Sequence, residues 1–316
     1  MIRNEGRVFR EITGSNPEQR NAGPKITLTL SEDNALNQPA SAGAMSPIKL
    51  SCNTVLFGGF CLETALKDIA YCGYDGAELA ALPGMASHVG TNASKGFLDQ
   101  VKALASDTSL GLSSIEAGGV SDQFDVVLQT AAGLGIPVVA IGSGGKMNDE
   151  ASFKEVVKGV SDAVARAEKH GVKLAVKAHV NAAVYNSQTC LRLLREVDSK
   201  SLGINLDPSH IFRAGEKPEE AVLKIGKGII HSHFRDAPKA EMGPPGAPFE
   251  QIPGTGKIDL AATVAAFKKV GYQGYLSLEV IGAGGPLKSM PEAQLLAIAA
   301  RSQGYMLRLL REAGVR

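Results

Sequence analysis

The sequence predicts an α/β protein with the (β/α)8 architecture of a TIM barrel. Eight apolar, strand-like runs alternate with eight segments of helical period from residue 48 onward. Polar side chains collect at the ends of the later strands, where a parallel barrel carries its active site. The repeating part of the chain also has roughly the 250 residues that are typical of this fold.

The predicted strands are short apolar runs, and each is followed by a segment with helical spacing of its apolar residues. The strands cover residues 48–55, 75–81, 110–117, 137–143, 172–179, 202–207, 229–234 and 275–280. The helices cover residues 62–73, 92–106, 121–135, 150–171, 187–197, 218–226, 259–271 and 290–312. Several helices begin after Ser, Asp or Asn, and several end at glycine, as capping requires. A doubly wound open sheet explains the pattern less well, because no GxGxxG follows the first strand.

The chain is predicted to have one domain and one extension. Residues 1–46 are rich in Asn, Glu, Arg, Pro and Ser, with only the run ITLTL resembling a strand. This composition predicts a flexible N-terminal extension, and Met45 is a candidate for the biological start. Residues 47–316 are predicted to form the barrel domain.

Composition excludes several classes of partner. Hydrophobic residues make up 44% of the chain, and 33 basic residues balance 32 acidic ones without a basic block. The sequence therefore shows no basic region of the kind that binds nucleic acid or anionic membranes. The four cysteines form no CxxC pair, and no apolar run approaches a membrane span. Without a secretory signal pattern, these features predict a cytoplasmic protein that binds a small molecule.

Side-chain alternation along the last four strands places their polar residues on the inward face. The inward set comprises Lys177, Asn205, Asp207, His231, His233, Arg235, Ser277 and Glu279. Two of these are carboxylates at the ends of buried strands, where desolvation is costly without a cation. A divalent metal held by Asp207, His233 and Glu279 would supply that cation. The structural alternative is salt bridging of the carboxylates to Lys177, Arg213 or Arg235.

Four ordered motifs resemble the xylose isomerase-like TIM barrels, the sugar phosphate isomerase/epimerase superfamily. They are LDPSH at 206–210, HSHFRD at 231–236, IPGTGKIDL at 252–260 and GYQGYLSLEV at 271–280. The resemblance covers about residues 48–312 and implies a metal-assisted isomerase or epimerase. It implies Asp207, His233 and Glu279 as ligands of Mn, Mg, Co or Zn, and it pairs Asp207 with His210.

Lys177 departs from the family pattern, which has a metal-binding and catalytic Glu at that position. An ammonium cannot bind a metal, and three interpretations remain open. A metal could stay with the other ligands while His179 or water fills the gap. The Lys177 ammonium could instead replace the metal, or the site could bind ligands without turnover. A desolvated lysine with a lowered pKa could also act as a base.

The sequence assigns roles to ten candidate site residues. Lys177, Glu279 and His210 are the catalytic candidates, and the metal ligands are those named above. Substrate contacts are expected from Glu78, His179, Arg213, Arg235 and Asp236. Asn53 and Glu116 are further candidates on the rim, and the loop 237–257 is long enough to act as a lid.

The expected activity is proton abstraction next to a carbonyl of a keto-sugar or polyol derivative. A dehydratase or lyase, with Lys177 replacing the metal, needs the same first step and is the alternative. A non-catalytic sugar-binding barrel is the alternative from a different class. A metal-dependent nuclease is disfavoured, because additional His and Glu ligands and a basic surface are missing. The last helix, 290–312, carries extra apolar surface and is a candidate dimer contact.

Overall fold

The computed structural model describes residues 47–282 and 287–316 of the chain. The expected N-terminal extension, with the ITLTL run and Met45, lies outside the described residues. Within them the barrel prediction is confirmed, because eight parallel strands close into one sheet. Closure occurs where the first strand pairs with both the second and the last.

Eight of the nine strands in the described part of the sheet have the bounds that the apolar runs predict, within a few residues, and the short strand Ala86–Ser87 was not predicted. The nine are β1 (Lys49–Asn53), β2 (Gly76–Leu82), β3 (Ala86–Ser87), β4 (Gly111–Ala117), β5 (Val138–Gly142), β6 (Lys173–Lys177), β7 (Leu202–Leu206), β8 (Ile229–His233) and β9 (Tyr275–Leu278). The short β3 is antiparallel to β2 and lies outside the barrel. The parallel order is β1-β9-β8-β7-β6-β5-β4-β2, so neighbours in sequence are neighbours in space.

The helices surround this barrel and cover its outer face. They are α1 (Leu62–Tyr71), α2 (Lys95–Asp107), α3 (Phe124–Leu134), α4 (Glu150–Lys169), α5 (Ser187–Val197), α6 (Pro208–Arg213), α7 (Pro218–Ile225), α8 (Leu260–Lys269) and α9 (Glu292–Glu312). In the part of the chain that the structure describes, none of them is long and apolar enough to cross a membrane.

The short helix α6 is the helix that the sequence pattern did not predict. The Asp207 carboxylate accepts a hydrogen bond from the Ser209 amide at 2.8 Å and so caps the helix. Pro208 occupies the first helical position, where its missing N–H costs nothing. Six residues are too few to show a helical period, so local capping chemistry decides this element.

The interior of the barrel is polar over most of its height. An apolar cluster of Val138, Ala140 and Ala175, with Ile230 against it, fills part of the interior. Most of the remaining inward positions carry buried charged, amide and hydroxyl groups rather than the branched apolar layers usual in this fold. These groups must satisfy one another, because water is excluded.

The loop after β8 is held by Asp236. Its Oδ1 accepts the amides of Ala237 at 2.8 Å and Ile258 at 3.2 Å, and its Oδ2 accepts the amide of Gly254 at 2.9 Å. A side chain at Gly256 would overlap this carboxylate. The PGTGKID segment is therefore folded around Asp236, which explains the glycines of that motif.

Glu216 connects the loop after α6 to the start of α5. It accepts hydrogen bonds from the Ser187 amide at 2.8 Å, the Ser187 hydroxyl at 2.5 Å and Lys224 at 2.8 Å. Burial alone would raise the pKa of Glu216, but these bonds outweigh it and lower the pKa. The ionised carboxylate therefore stabilises the connection between α5 and the end of α6, the helix that carries His210 and Arg213.

We expect Glu216→Gln to lower the free energy of unfolding by about 1–2 kcal/mol at pH 7. A lowered folded-state pKa stabilises the fold above the unfolded value of about 4.3, and this contribution is lost as the pH falls through the folded value. Urea unfolding at pH 7, 5 and 4 should show the difference from wild type narrowing toward pH 4. Glu219→Gln is the control, with a change below about 0.5 kcal/mol. A difference that is constant with pH would contradict the prediction.

Candidate functional site

Seven charged or titratable side chains converge where the barrel strands end. All are buried, and they come from six strands or the residues just after them: Glu78, Glu116, Lys177, Asp207, His233, Arg235 and Glu279. The alternation of side chains along each strand directs them inward, as the sequence predicts. The structure thus brings the predicted catalytic lysine and the three predicted metal ligands into one cluster.

Lys177 lies at the centre of the carboxylates. Its Nζ is 2.7 Å from Glu279 Oε1, 3.4 Å from Glu116 Oε1 and 3.8 Å from Asp207 Oδ2. Burial lowers the pKa of Lys177, but the charges of Glu279, Glu116 and Asp207 outweigh burial and raise it. The expectation of a lysine with a lowered pKa is therefore wrong, because three acidic neighbours favour the ammonium. Lys177 can stabilise negative charge or donate a proton, but it is a poor base.

Arg235 is a second internal cation. Its NH2 group lies 3.1 Å from Asp207 Oδ2 and 3.1 Å from Glu279 Oε2. Its Nε donates to Ser209 at 2.9 Å and its NH1 donates to Gln251 at 3.1 Å. All three nitrogen groups of this guanidinium thus have protein partners. The substrate contact of Arg235 remains a prediction. In the structure Arg235 holds the carboxylates of Asp207 and Glu279.

Glu78 forms the lower layer of the site. Its two oxygens lie 2.9 Å from His231 Nε2 and 2.9 Å from His233 Nε2. The hydroxyls of Ser114 and Ser277 donate to it at 2.9 and 2.8 Å, and the Asn53 amide donates at 3.1 Å. With five donors and no exposed surface, Glu78 orders its neighbours; contact with substrate stays a prediction.

His233 carries a proton next to this carboxylate. Burial lowers the pKa of His233, but the charge of Glu78, with those of Glu279 and Glu116, outweighs it and raises the pKa to about 10. The other ring nitrogen, Nδ1, lies 3.5 Å from Glu279 Oε2 and 3.9 Å from Glu116 Oε1. His233 therefore links the lower layer to the reactive carboxylates above it.

Glu116 is the residue to which sequence reasoning gave no role beyond the rim. Its Oε2 accepts a hydrogen bond from Asn53 at 2.6 Å, and its Oε1 faces Lys177 and His233. Burial and the charge of Glu279 raise the pKa of Glu116 to about 7. The alternation in the run LGLSSIEA places Glu116 and Ser114 on one face, so a signal was present in the sequence.

The cluster has atoms suited to holding a divalent metal. His233 Nδ1 is buried and makes no hydrogen bond in the described part of the chain, whereas Asp207 Oδ2 and Glu279 Oε2 are ion-paired with Arg235 at 3.1 Å. Among the described residues, two groups of three side chains have ligand atoms that all lie within 4.8 Å of one another inside the group. One group is Glu78, His231 and His233, and the other is Glu116, His233 and Glu279. Asp207 is in neither group, because its oxygens face Arg235 and the Ser209 amide. The structure thus groups Glu116, rather than the predicted Asp207, with His233 and Glu279.

The charge balance of the cluster is consistent with such an ion. Four carboxylates face the two permanent cations Lys177 and Arg235. The remaining negative charge can be balanced by protons on His233 and Glu116 or by a divalent cation at the same atoms. The residues therefore fit the metal that the motifs imply, with Lys177 retained beside it.

The two remaining histidine candidates lie behind Arg235. His210 Nε2 is 3.0 Å from Arg235 NH2, and its Nδ1 accepts the Val180 amide at 3.3 Å. His179 stacks on His210 with ring centroids 3.9 Å apart. Burial lowers the pKa of both histidines, so both are neutral near pH 7. The catalytic role of His210 and the substrate contact of His179 stay predictions.

Comparison with known proteins gives one family. The family model described as Xylose isomerase-like TIM barrel matches residues 66–303. An uncharacterized protein, MJ1311 of Methanocaldococcus jannaschii, is 31% identical over 126 residues, covering 38% of this chain and 41% of that protein. An inosose isomerase of Bacillus licheniformis is 25% identical over 233 residues, covering 68% and 83%. A 3-dehydroshikimate dehydratase of Pseudomonas putida is 30% identical over 147 residues, covering 44% and 22%. The chain thus spans less than half of the first and third of these relatives.

Solved structures share the fold. The IOLI protein with a binding zinc atom superposes with a TM-score of 0.69 at 19% identity, covering 84% of this chain and 99% of that one. A D-psicose 3-epimerase in the presence of D-fructose gives 0.68 at 16% identity, covering 83% and 99%. At such identities the likeness shows the barrel architecture alone.

Proposed function

The chain belongs to the xylose isomerase-like TIM barrel family, and on that basis we propose that it is an isomerase or epimerase acting on a keto-sugar or polyol derivative. The observation that carries this proposal is the Lys177 ammonium between the carboxylates of Glu279 and Glu116, at 2.7 and 3.4 Å. An inosose isomerase and a 3-dehydroshikimate dehydratase among the relatives act on compounds of this class, by their names.

This arrangement matches what proton abstraction next to a carbonyl requires. Removing that proton moves negative charge onto the carbonyl oxygen, and a buried ammonium stabilises such charge strongly at low dielectric. Glu279 is the predicted catalytic carboxylate, and its Oε1 lies beside the ammonium. Glu116, with a pKa raised to about 7, can accept or return a proton near neutral pH. Lys177 holds the oxygen while the two carboxylates move the proton.

A divalent metal has a place in this site. Glu116, His233 and Glu279 would hold it, in agreement with two of the three predicted ligands. When bound, it would supply Lewis-acid polarisation of the substrate oxygen. The zinc in the IOLI structure supports this assignment as a property of a protein with the same fold.

Dehydration is the second candidate function. It begins with the same proton abstraction and ends with loss of a β-hydroxyl group, which needs a proton donor. The observation that favours it is the position of the Lys177 ammonium, 2.7 Å from Glu279 Oε1, because an N–H donor at this place can hydrogen-bond the leaving oxygen while it takes up a proton. In this version Lys177 takes the place of the metal, as one of the sequence-based alternatives proposes.

Solvent hydrogen exchange distinguishes these functions. The protein is incubated in D2O with an inosose, D-psicose and 3-dehydroshikimate, and NMR follows the carbon next to the carbonyl. Deuterium uptake with isomer formation is the expected result, whereas loss of water would assign the dehydratase. We expect Glu279→Gln to slow the exchange by about 100- to 10,000-fold. Ligand-induced stabilisation without exchange for any compound would contradict both activities and indicate a binding barrel.

A further inference from the structure

Arg213 is a buried cation without a counter-ion. It ends α6 and is 4% exposed. Its NH2 group donates to the carbonyl of Gly243 at 2.7 Å. Its Nε and NH1 groups are buried and have no hydrogen-bond partner within residues 47–282 and 287–316. No described carboxylate forms an ion pair with it, and the charges of Asp207 and Glu279 act on it only from beyond ion-pair distance.

Arg235, the other buried arginine of the site, does not lack partners in the way that Arg213 does. Arg235 is equally buried, but it has two carboxylates at 3.1 Å and further hydrogen bonds from its Nε and NH1 groups. A buried guanidinium that lacks such partners loses its hydration without replacement. Burial and the nearby charge of Arg235 also lower the pKa of Arg213. Arg213 could therefore bind an anion, and the described residues do not provide one.

Arg213 borders a cavity that it forms together with the loop 238–250. The cavity has a volume of about 400 Å3 and is lined by Arg213 and by residues of that loop. Its other charged residues are exposed and already engaged: Lys239 pairs with Glu241 at 3.3 Å, and Glu250 accepts the Ala247 amide at 2.7 Å. Arg213 is therefore the charged group of the cavity that still needs a partner.

The cavity is connected to the reactive cluster. Gln251 accepts a hydrogen bond from Arg235 at 3.1 Å and donates to the carbonyl of Gly246 at 3.0 Å, so the loop is tied to the site cation. Arg213 also follows Asp207 directly through α6, whose six residues extend about 9 Å. A ligand that occupies both places must therefore span about this length.

We propose that Arg213 binds the anionic end of the substrate, a carboxylate or a phosphate ester, in this cavity. The carbonyl end of the same molecule then lies at Lys177, so the inference rests on the proposed function and specifies its substrate class. An oxyanion pairs with a guanidinium through charge-assisted N–H···O bonds, and the NH1 group, which has no hydrogen-bond partner among the described residues, is a donor left for this purpose.

Anion binding in the absence of turnover tests this inference. Thermal unfolding and calorimetry are measured with inorganic phosphate and with acetate, at constant ionic strength set by NaCl. We expect at least one of the two anions to raise the unfolding temperature of the wild type. Arg213→Met should weaken that binding by about 10- to 100-fold, and Lys227→Met, which removes an exposed charge before β8, should leave it unchanged. The anion with the larger effect identifies the substrate group.

The stability of the variants without added anion provides the second measurement. If Arg213 serves to bind a ligand, Arg213→Met should unfold at the same temperature as the wild type or at a higher one. The reason is that the substitution removes a buried charge that has no ion-pair partner. A destabilised Arg213→Met together with a wild type that responds to neither anion would overturn the proposal and make Arg213 structural. Arg213-dependent anion binding without hydrogen exchange would instead refute the proposed function alone.

Discussion

Replacing Lys177 with methionine is expected to lower kcat by about 100- to 1,000-fold. The substitution keeps the length and apolar stem of the side chain but removes the ammonium that lies 2.7 Å from Glu279 and 3.4 Å from Glu116. The negative charge that develops on the substrate oxygen then loses its nearest cation. The measurement is the rate of deuterium uptake, or of product formation, with the most active compound of the panel.

The matched control for this prediction is Lys173→Met. Lys173 begins the same strand, β6, and is exposed at the other end of the barrel. Circular dichroism must show that both variants are folded, because Lys177→Met also leaves three carboxylates without this cation. An unchanged kcat in folded Lys177→Met would contradict a role of the ammonium in the reaction.

Lys177→Glu gives the complementary result. It introduces a carboxylate, the group that the family pattern has at this position. The charge next to Glu116, Asp207 and Glu279 becomes two units more negative. We expect this variant to bind a divalent ion at least about tenfold more tightly than the wild type, since opposite charges at short range attract strongly. Elemental analysis after purification without chelator, followed by competition with a chelator, measures this change. Equal or weaker metal binding would show that residue 177 does not control the ion.

Glu78→Ala is expected to have the largest effect on stability, a loss of about 3–5 kcal/mol in the free energy of unfolding. The Glu78 carboxylate lies 2.9 Å from both His231 and His233, and its loss leaves these groups and three further donors without an acceptor. Urea unfolding at pH 7 measures the difference.

Two further variants place this value in context. Glu78→Gln keeps an acceptor oxygen and should cost less than Glu78→Ala. Glu63→Ala removes an exposed carboxylate on α1 and should leave the stability nearly unchanged. If Glu78→Ala cost no more than Glu63→Ala, the lower layer of the site would not contribute to the fold.

The fold could be predicted from the sequence because it depends on local patterns. Strands with apolar runs and helices with capping residues and terminal glycines recur along the chain, and each signal lies within one element. The exceptions have local causes as well: α6 depends on the cap formed by Asp207, and β3 has only two residues. Short elements carry too few residues for a period to be visible.

The candidate site could be predicted only in part. Alternation along the strands correctly placed Lys177, Asp207, His233 and Glu279 on one inward face. It could not reveal that Glu116, from a strand far away in sequence, lies beside Lys177. Nor could it show that Arg235 is used internally while Arg213 is left unpaired, since both are arginines that follow strands.

The sequence by itself determined the barrel, its order of elements and the set of polar residues that point inward, because side-chain direction follows from position along a strand. The tertiary structure alone decided which of these residues meet and in which charge state. The contacts and the charge states depend on distances between strands and on the exclusion of water. The same three carboxylates that lie within 3.8 Å of Lys177 turn an expected base into an ammonium with a raised pKa, because electrostatic energies at low dielectric exceed the intrinsic preference of any single residue.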